Sequence, residues 1–576
     1  MANLNNRARA EQTYDAIVVG SGMSGGIAAK ELTEKGLKTL VLERGPMVRH
    51  IVDYPTATEA PWETKHPRGQ LPKAELDAQY PVQKRTGYAV TEYSKHFFVK
   101  DAEEPYTETK RFDWIRGYHV GGRSLLWARQ SYRHSNLDFE ANAREGIAVD
   151  WPIRYEDLAA WYDHVERFIG VSGQTEGLAH LPDGQFQPPM EMNCVEKDFK
   201  ARSEVRFPDR RITIGRAAHL TAPTEEQLSL GRGQCQHRNM CIRGCPFGAY
   251  YSSNSGGLVA AERTGRMKIR PGSVVTSLIY NAKTRKADGV RVLDVASGRE
   301  IEFYAPIIFL CASAMNTAWI LLNSTSKRFP NGFGNDSDQV GRNVMDHHLG
   351  VGAGAQVDGY ADMYYSGRRP NGIYVPRFRN LGDKASARKD YVRGFGYQGG
   401  AGRMGWDRNA PGFGAARKQA LTQPGPWVIR LGGFGEILPY ADNRITLNHE
   451  LRDQHGLPTL TFDVALRENE IAMRRDMASA AAEMLDGAGF KNIRTVGDGD
   501  YGPGLGIHEM GTARMGRDPK TSVLNAHNQV HAARNVFITD GAAMTSAACV
   551  NPSLTYMALT ARAVAFAVDA SNKGEL

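Results

Sequence analysis

Two stretches of this chain pair residue types with spacings that do chemistry. The first is Gly20, Gly22 and Gly25, a GxGxxG turn, with Glu43 placed 18 residues beyond its last glycine. In a βαβ unit Gly20 permits the tight turn, and Gly22 lets the backbone approach a pyrophosphate. Gly25 lets the helix pack closely on the sheet. The helix then aims its positive end at the phosphates, and Glu43 accepts hydrogen bonds from the ribose hydroxyls. This predicts a dinucleotide site, for FAD or NAD. The second stretch is Cys235, Cys241 and Cys245, spaced C-x5-C-x3-C and followed by Pro246. Thiolates on a short loop with a trailing Cys-Pro hold iron–sulfur clusters. Zinc would want a fourth ligand that His237 is poorly placed to supply. From the residues alone a cluster, a zinc site and incidental thiols all stay open.

Elements must position these groups. Ala16–Val19 is a short apolar strand, a helix runs from about Gly26 to Lys35 with Gly36 closing it, and Thr39–Leu42 is a second strand that ends on Glu43. The region 46–111 is polar, proline-bearing and without clean periodicity, and reads as an excursion over the surface. Gly121 and Gly122, followed by Ser124, suit close approach of backbone to a flat or charged ligand. From Trp151 to Gly173 apolar residues fall at helical spacing and predict a core-facing helix. Ser273–Tyr280 and Gly289–Val295 read as strands. Ile307–Thr317 reads as a buried strand turning into a helix, with Cys311 an inert core thiol. Arg467–Asp486 is an amphipathic helix that Gly487 is placed to end. The adjacent His347 and His348 cannot alone complete a metal site and read as structural.

Composition is that of an ordinary enzyme. The 576 residues suggest two or more domains, with 41% apolar and 23% charged residues. The net charge of +8 is interleaved along the chain, with no Lys/Arg block of the kind that binds nucleic acid. No apolar run approaches the ~18 residues of a membrane helix. The polar start, MANLNNRARAEQTYD, lacks an apolar signal core, so no export address of the chain's own is expected. Six cysteines are too few for a disulfide scaffold.

With the glycine turns in view, the chain resembles the glucose–methanol–choline (GMC) family of flavoprotein oxidoreductases. The likeness continues in Asp338–His348, which resembles the family's VGRN…DH segment, and in the Asn443–Leu447 and Gly456–Pro458 strand pair of its substrate domain. It is strongest at His508-Glu-Met-Gly-Thr-Ala-Arg-Met-Gly516 and Asn551-Pro-Ser-Leu-Thr555. The resemblance implies that His508 is the catalytic base and Asn551 its partner, both facing the flavin. It places Gly121, Gly122 and Ser124 against the flavin, and Asp540 and Gly541 at its ribityl–pyrophosphate region. Leu126 stands where some sugar-oxidising members carry a flavin-linked histidine, so the FAD is expected to be non-covalent.

The implied fold is α/β: a Rossmann-type FAD-binding domain with a discontinuous substrate-binding domain on an antiparallel sheet with helices. The division expected is 1–150, 205–345 and 496–576 for FAD, carrying the cysteine loop, and 151–204 with 346–495 for substrate. Within the family, C-x5-C-x3-C is similar to the bacterial membrane-linked sugar dehydrogenases. Their likeness implies a 3Fe–4S cluster on Cys235, Cys241 and Cys245, with Cys194 keeping 4Fe–4S open. Cys549, two residues before Asn551, has no assignable role. The activity implied is that of glucoside 3-dehydrogenases, which oxidise the C3 hydroxyl of glucosides and disaccharides to 3-keto sugars. Aldose 1-dehydrogenase, fructose or gluconate dehydrogenase, and an oxygen-using sugar oxidase are the alternatives. A small chaperone-like subunit and a cytochrome c acceptor are implied partners, with a periplasmic location by co-export and only indirect contact with the membrane.

Overall fold

The computed structural model describes residues 14–60, 62–66, 69–86, 89–363, 371–405, 412–497 and 502–576. Ala16–Val19 lies inside a six-stranded sheet, between Ile307–Leu310 and Thr39–Leu42. Met267–Arg270 extends one side and Ala533–Ile538 the other, all parallel, with Gln529–Val530 antiparallel at the edge. Strands buried on both faces must be largely apolar, and the AIVV, TLVL and IIFL runs meet that demand, with the Thr39 hydroxyl donating to Leu37 O. The helix Met23–Glu34 covers one face, packed beside the C-terminal helix Ser553–Asn572. It starts three residues earlier than the sequence predicts, because Gly26 N already donates to Gly22 O at 2.8 Å.

The second six-stranded sheet is antiparallel, in the order Lys491–Val496, Gly352–Val357, Trp427–Gly435, Phe395–Arg403, Ile373–Val375, Thr213–Ile214. The pleat turns Trp427, Ile429 and Leu431 into a core shared with Met473, Met477 and Met484 of the helix Glu468–Gly487. Val428, Arg430 and Gly432 fall on the opposite, open face. That helix includes Gly487. The chain turns instead at Gly489, whose φ of 76° allows the Gly489 N–H to reach Asp486 O and Phe490 N–H to reach Leu485 O.

Three segments depart from the sequence reading. The region after Pro46 builds its own small core from Tyr54, Leu71, Tyr80, Val82, Phe97 and Phe98, closed by Ile115 and Leu125. Its apolar residues sit on turns and short helices, so no period announces them. Thr213–Ile214, numbered within 205–345, pairs with Ile373–Tyr374 of the antiparallel sheet. The hairpin Arg444–Arg452 and Pro458–Asp463, numbered within 346–495, pairs with Thr107–Glu108 and sends Ile445, Leu460 and Phe462 into the core of the parallel half. The helix Glu156–Ile169 buries Leu158, Tyr162, Val165 and Phe168, while Trp161 is half-buried.

Candidate active site

The two glycine turns are laced together. Ser21 donates its hydroxyl to Glu43 Oε2 at 2.6 Å and its N–H to the same oxygen at 3.1 Å, while Gly45 N donates to Oε1 at 3.0 Å. The Ser21 hydroxyl also accepts from Gly121 N at 2.9 Å. Ser124 donates to Gly121 O at 2.6 Å, and Ser253 bridges Ser124 Oγ and Gly22 O. Burial pushes the Glu43 carboxyl up against these hydrogen bonds. Gly20 has a φ of 94°, and a Cβ on Gly25 would lie 1.9 Å from Gly20 O. Gly22 differs: a Cβ there meets nothing within 4 Å. Asn254 Oδ1 is buried above Gly121 with no partner among the described residues. Open space before Gly22 and an orphaned acceptor fit a dinucleotide in this cradle. Ser21, Ser253 and Asn254 have no motif signal in the sequence beyond their closeness to glycines.

Asp540 follows the strand Ala533–Ile538, accepting from Thr317 Oγ1 at 2.6 Å and Ala542 N at 2.9 Å. Burial raises its carboxyl to about 6. Gly541 O accepts from Gly511 N at 3.0 Å, which ties this turn to the loop that carries His508.

His508 and Asn551 stand 43 residues apart in sequence, and His508 Nε2 lies 3.5 Å from Asn551 Nδ2. Asp346 fixes the histidine's loop by accepting from Gly504 N, Gly506 N and His508 N at 2.8–3.0 Å. Burial, and then the nearby Glu509, raise the Asp346 carboxyl to about 7. Ligand atoms of Asp346, His347 and His508 lie within 4.8 Å of one another. Both Asp346 oxygens already serve those three N–H groups, so it acts as a backbone anchor. His347, read from sequence as structural, stacks on Phe434 at 4.4 Å and meets the edge of the His508 ring at 5.0 Å. Its Nε2 also reaches Ala548 O at 3.0 Å. His348 is buried nearby.

The turn leading to Asn551 is unusual. Ala548 has a φ of 62°, a conformation costly for a residue with a Cβ. Glu436 holds it by accepting from Ala547 N at 3.0 Å and Ala548 N at 2.8 Å. Arg393, fully buried, pairs with Glu436 at 2.6 Å and with Glu145 at 2.7 Å. Gln398, from the antiparallel sheet, donates to Asn551 Oδ1 at 2.6 Å. Arg123 pairs with Glu509 beside the histidine. Burial, then His347 and the Arg123 cation, hold the His508 imidazole well below its ordinary value, so it is neutral. A neutral imidazole beside an amide donor can take a proton from a hydroxyl while the amide stabilises the oxygen left behind.

The cysteine loop lies on the packed 46–111 region. Arg243 donates to Glu59 O at 3.0 Å and covers the Tyr93 ring, and Gly244 turns at a φ of 85° against Tyr54. Cys235, Cys241 and Cys245 are free thiols, each half-buried. Burial, reinforced by its two neighbouring thiols, pushes Cys235 up to about 11. Cys241 Sγ lies 3.9 Å from His219 Nε2. Among the described residues the three thiols do not converge within the 4.8 Å that gathers Asp346, His347 and His508. Cys194 opens the helix Cys194–Arg206 and packs against the antiparallel sheet's core. Cys311 is buried with its thiol pushed far up, and burial raises buried Cys549 to about 12.

Comparison with known proteins agrees with this geometry. The GMC oxidoreductase family models match residues 14–349 and 439–560. A 2-methyl-1,2-propanediol dehydrogenase of Mycolicibacterium austroafricanum is 28% identical, across 96% of this chain and 95% of its own. The fructose dehydrogenase large subunit of Gluconobacter japonicus is 26% identical over 95% of this chain and 96% of its own. Among solved structures, pyridoxine 4-oxidase from Mesorbium loti superposes with a TM-score of 0.58 at 17% identity, covering 96% of this chain and 99% of its own, a likeness of fold. The chain belongs to the GMC oxidoreductases, FAD-binding enzymes that oxidise the CH–OH groups of alcohols and sugars.

Proposed function

We propose that the protein is an FAD-dependent sugar dehydrogenase that oxidises a secondary hydroxyl, the C3 hydroxyl of glucosides and disaccharides, to a 3-keto sugar. The observation that carries this reading is the His508–Asn551 pair, with 3.5 Å between side-chain nitrogens that can share one substrate oxygen. FAD, when bound at the glycine turns, supplies the acceptor for the hydride that leaves carbon. His508 Nε2 takes the hydroxyl proton, and Asn551 Nδ2 donates to the same oxygen as the C–O bond becomes C=O. The two relatives described above are named for a 1,2-diol and for fructose, both with hydroxyls on neighbouring carbons, while others are named for a long-chain alcohol and for cholesterol. The fructose dehydrogenase likeness also favours an oxidation of free ketose or aldose as the second reading.

Electrons leave, in this reading, through an iron–sulfur cluster on Cys235, Cys241 and Cys245 to an external acceptor such as a cytochrome c. The C-x5-C-x3-C spacing with its trailing proline supports this reading, and Cys235 lies near enough to Cys241 and Cys245 for both to raise its thiol. A small chaperone-like subunit and periplasmic co-export complete the proposal. Among the described residues no helix is long and apolar enough to cross a membrane.

Anaerobic titration of the holoenzyme with methyl β-glucoside, followed by flavin absorbance, tests the reaction. That substrate has its anomeric hydroxyl blocked, so bleaching means that a ring hydroxyl is oxidised. Bleaching by free glucose alone would assign an aldose 1-dehydrogenase. Iron and acid-labile sulfide in the purified protein test the cluster, and their absence overturns it.

A further inference from the structure

Gln398 sits in the middle of the strand Phe395–Arg403, and the pleat separates it from its neighbours. Phe395 and Tyr397 are buried in the core of the antiparallel half. Gln398 therefore points the other way, and its Nε2 donates to Asn551 Oδ1 at 2.6 Å. Its partners across the two ladders are Gly432 and Tyr374, and Gly396 and Gly400 are its same-face neighbours along the strand. The three glycines offer no side chain that would compete for it, while Tyr374 brings a buried hydroxyl that makes no hydrogen bond among the described residues.

An asparagine amide has a donor end and an acceptor end, and Gln398 occupies the acceptor end. The Nδ2 end then faces His508 Nε2 at 3.5 Å. A donor there requires Nε2 to be the unprotonated nitrogen, which is the tautomer a base needs. With the amide reversed, Oδ1 would face His508 and favour a proton on Nε2, disarming it. The remaining carbonyl oxygen of Gln398 makes no hydrogen bond to protein among the described residues. It belongs to the amide that touches Asn551 Oδ1, so it lies on the rim of the His508–Asn551 pair, on the Asn551 side. An acceptor at that position suits a donor on the substrate carbon beside the one oxidised.

We propose that Gln398 is a positioning and specificity-determining residue: it sets the amide of Asn551, and through it the tautomer of His508, and it accepts a hydrogen bond from a second hydroxyl of the substrate. The enzyme's substrates are accordingly vicinal diols within polyols, in preference to isolated alcohols. This rests on the alcohol oxidation proposed above.

The test uses wild-type holoenzyme, Gln398→Leu and Gln398→Glu, with bound flavin per protein as the check on folding. Anaerobic flavin reduction is measured with methyl β-glucoside, glucose and 1,2-propanediol. Each is paired with analogues lacking a neighbouring hydroxyl: methyl 2-deoxy- and 4-deoxy-β-glucoside, 2-deoxyglucose and 1-propanol. Wild type is expected to prefer the diol member of its best pair by about tenfold or more in kcat/KM, the scale of one neutral hydrogen bond. Gln398→Leu loses that preference and also loses kcat. Gln398→Glu keeps an acceptor for the substrate but repels Asn551 Oδ1, so it keeps the preference while kcat falls. An unchanged preference in Gln398→Leu, or an unchanged kcat in Gln398→Glu, overturns the inference alone. A wild-type flavin that none of these substrates reduces overturns the parent reading and this inference with it.

Discussion

In the parallel sheet every residue of Ala16–Val19, Thr39–Leu42 and Ile307–Leu310 is buried, whereas in the antiparallel sheet burial alternates along Trp427–Leu431. The first sheet is closed on both faces, and all it can offer a ligand is the loops at its strand ends. Those loops carry the Gly20–Gly25 turn and Asp540. The second sheet closes one face against the helix Glu468–Gly487 and leaves the other free, with Gln398 and Phe434 reaching the His508–Asn551 pair. His508 and Asn551 are thus supplied from one half and oriented by the other. The comparison teaches that damage to the strand-end turns of the first half removes the cofactor, while damage to the second half leaves it bound and misaims the proton transfer.

The sharpest way to break that division is Gly25→Ala. The added Cβ would lie 1.9 Å from Gly20 O, so the turn must open. Flavin per protein in the purified variant is expected to fall close to zero. Full flavin content would show that the cradle is not where FAD binds. A smaller effect is expected from Glu436→Gln, which keeps an acceptor but removes the charge facing fully buried Arg393. Leaving that guanidinium short of a partner costs about 3 kcal/mol in denaturant unfolding. The relaxed Ala547–Ala548 turn lowers the rate of flavin reduction by roughly tenfold to a hundredfold, with FAD retained. Loss of flavin instead would blur the distinction between the halves.

The smallest effect concerns pH. His508 is held below the usual imidazole value by burial, His347 and Arg123. A lowered value means the neutral base persists as pH falls, so flavin reduction should stay level through pH 6.5 and decline only below it. A decline centred at or above the ordinary imidazole value of about 6.5 would contradict this.

The parallel half was legible in the sequence because each of its requirements has a local signature. Continuous apolar runs mark doubly buried strands, and glycines at fixed spacing mark a turn that no Cβ tolerates. The His508 and Asn551 motifs stood out by resemblance, and the fold brings them side by side. The supports of that pair were not legible. Gln398, Glu436 and Arg393 are single polar residues on glycine-rich or irregular segments, and their meaning arises only when distant strands meet. An adjacent histidine pair makes a poor metal site, so the sequence assigns His347 no chemistry, yet its ring meets that of His508. The 46–111 region read as surface because a core assembled from turns shows neither a helical nor a strand period.

In the proposed reaction His508 takes the substrate proton, and the glycine turns hold FAD without it. Anaerobic stopped-flow mixing of His508→Ala holoenzyme with whichever sugar reduces the wild-type flavin tests it most directly. The account predicts a full complement of bound FAD and a rate of flavin reduction lower by about 10²–10⁴-fold. Reduction at the wild-type rate would contradict it.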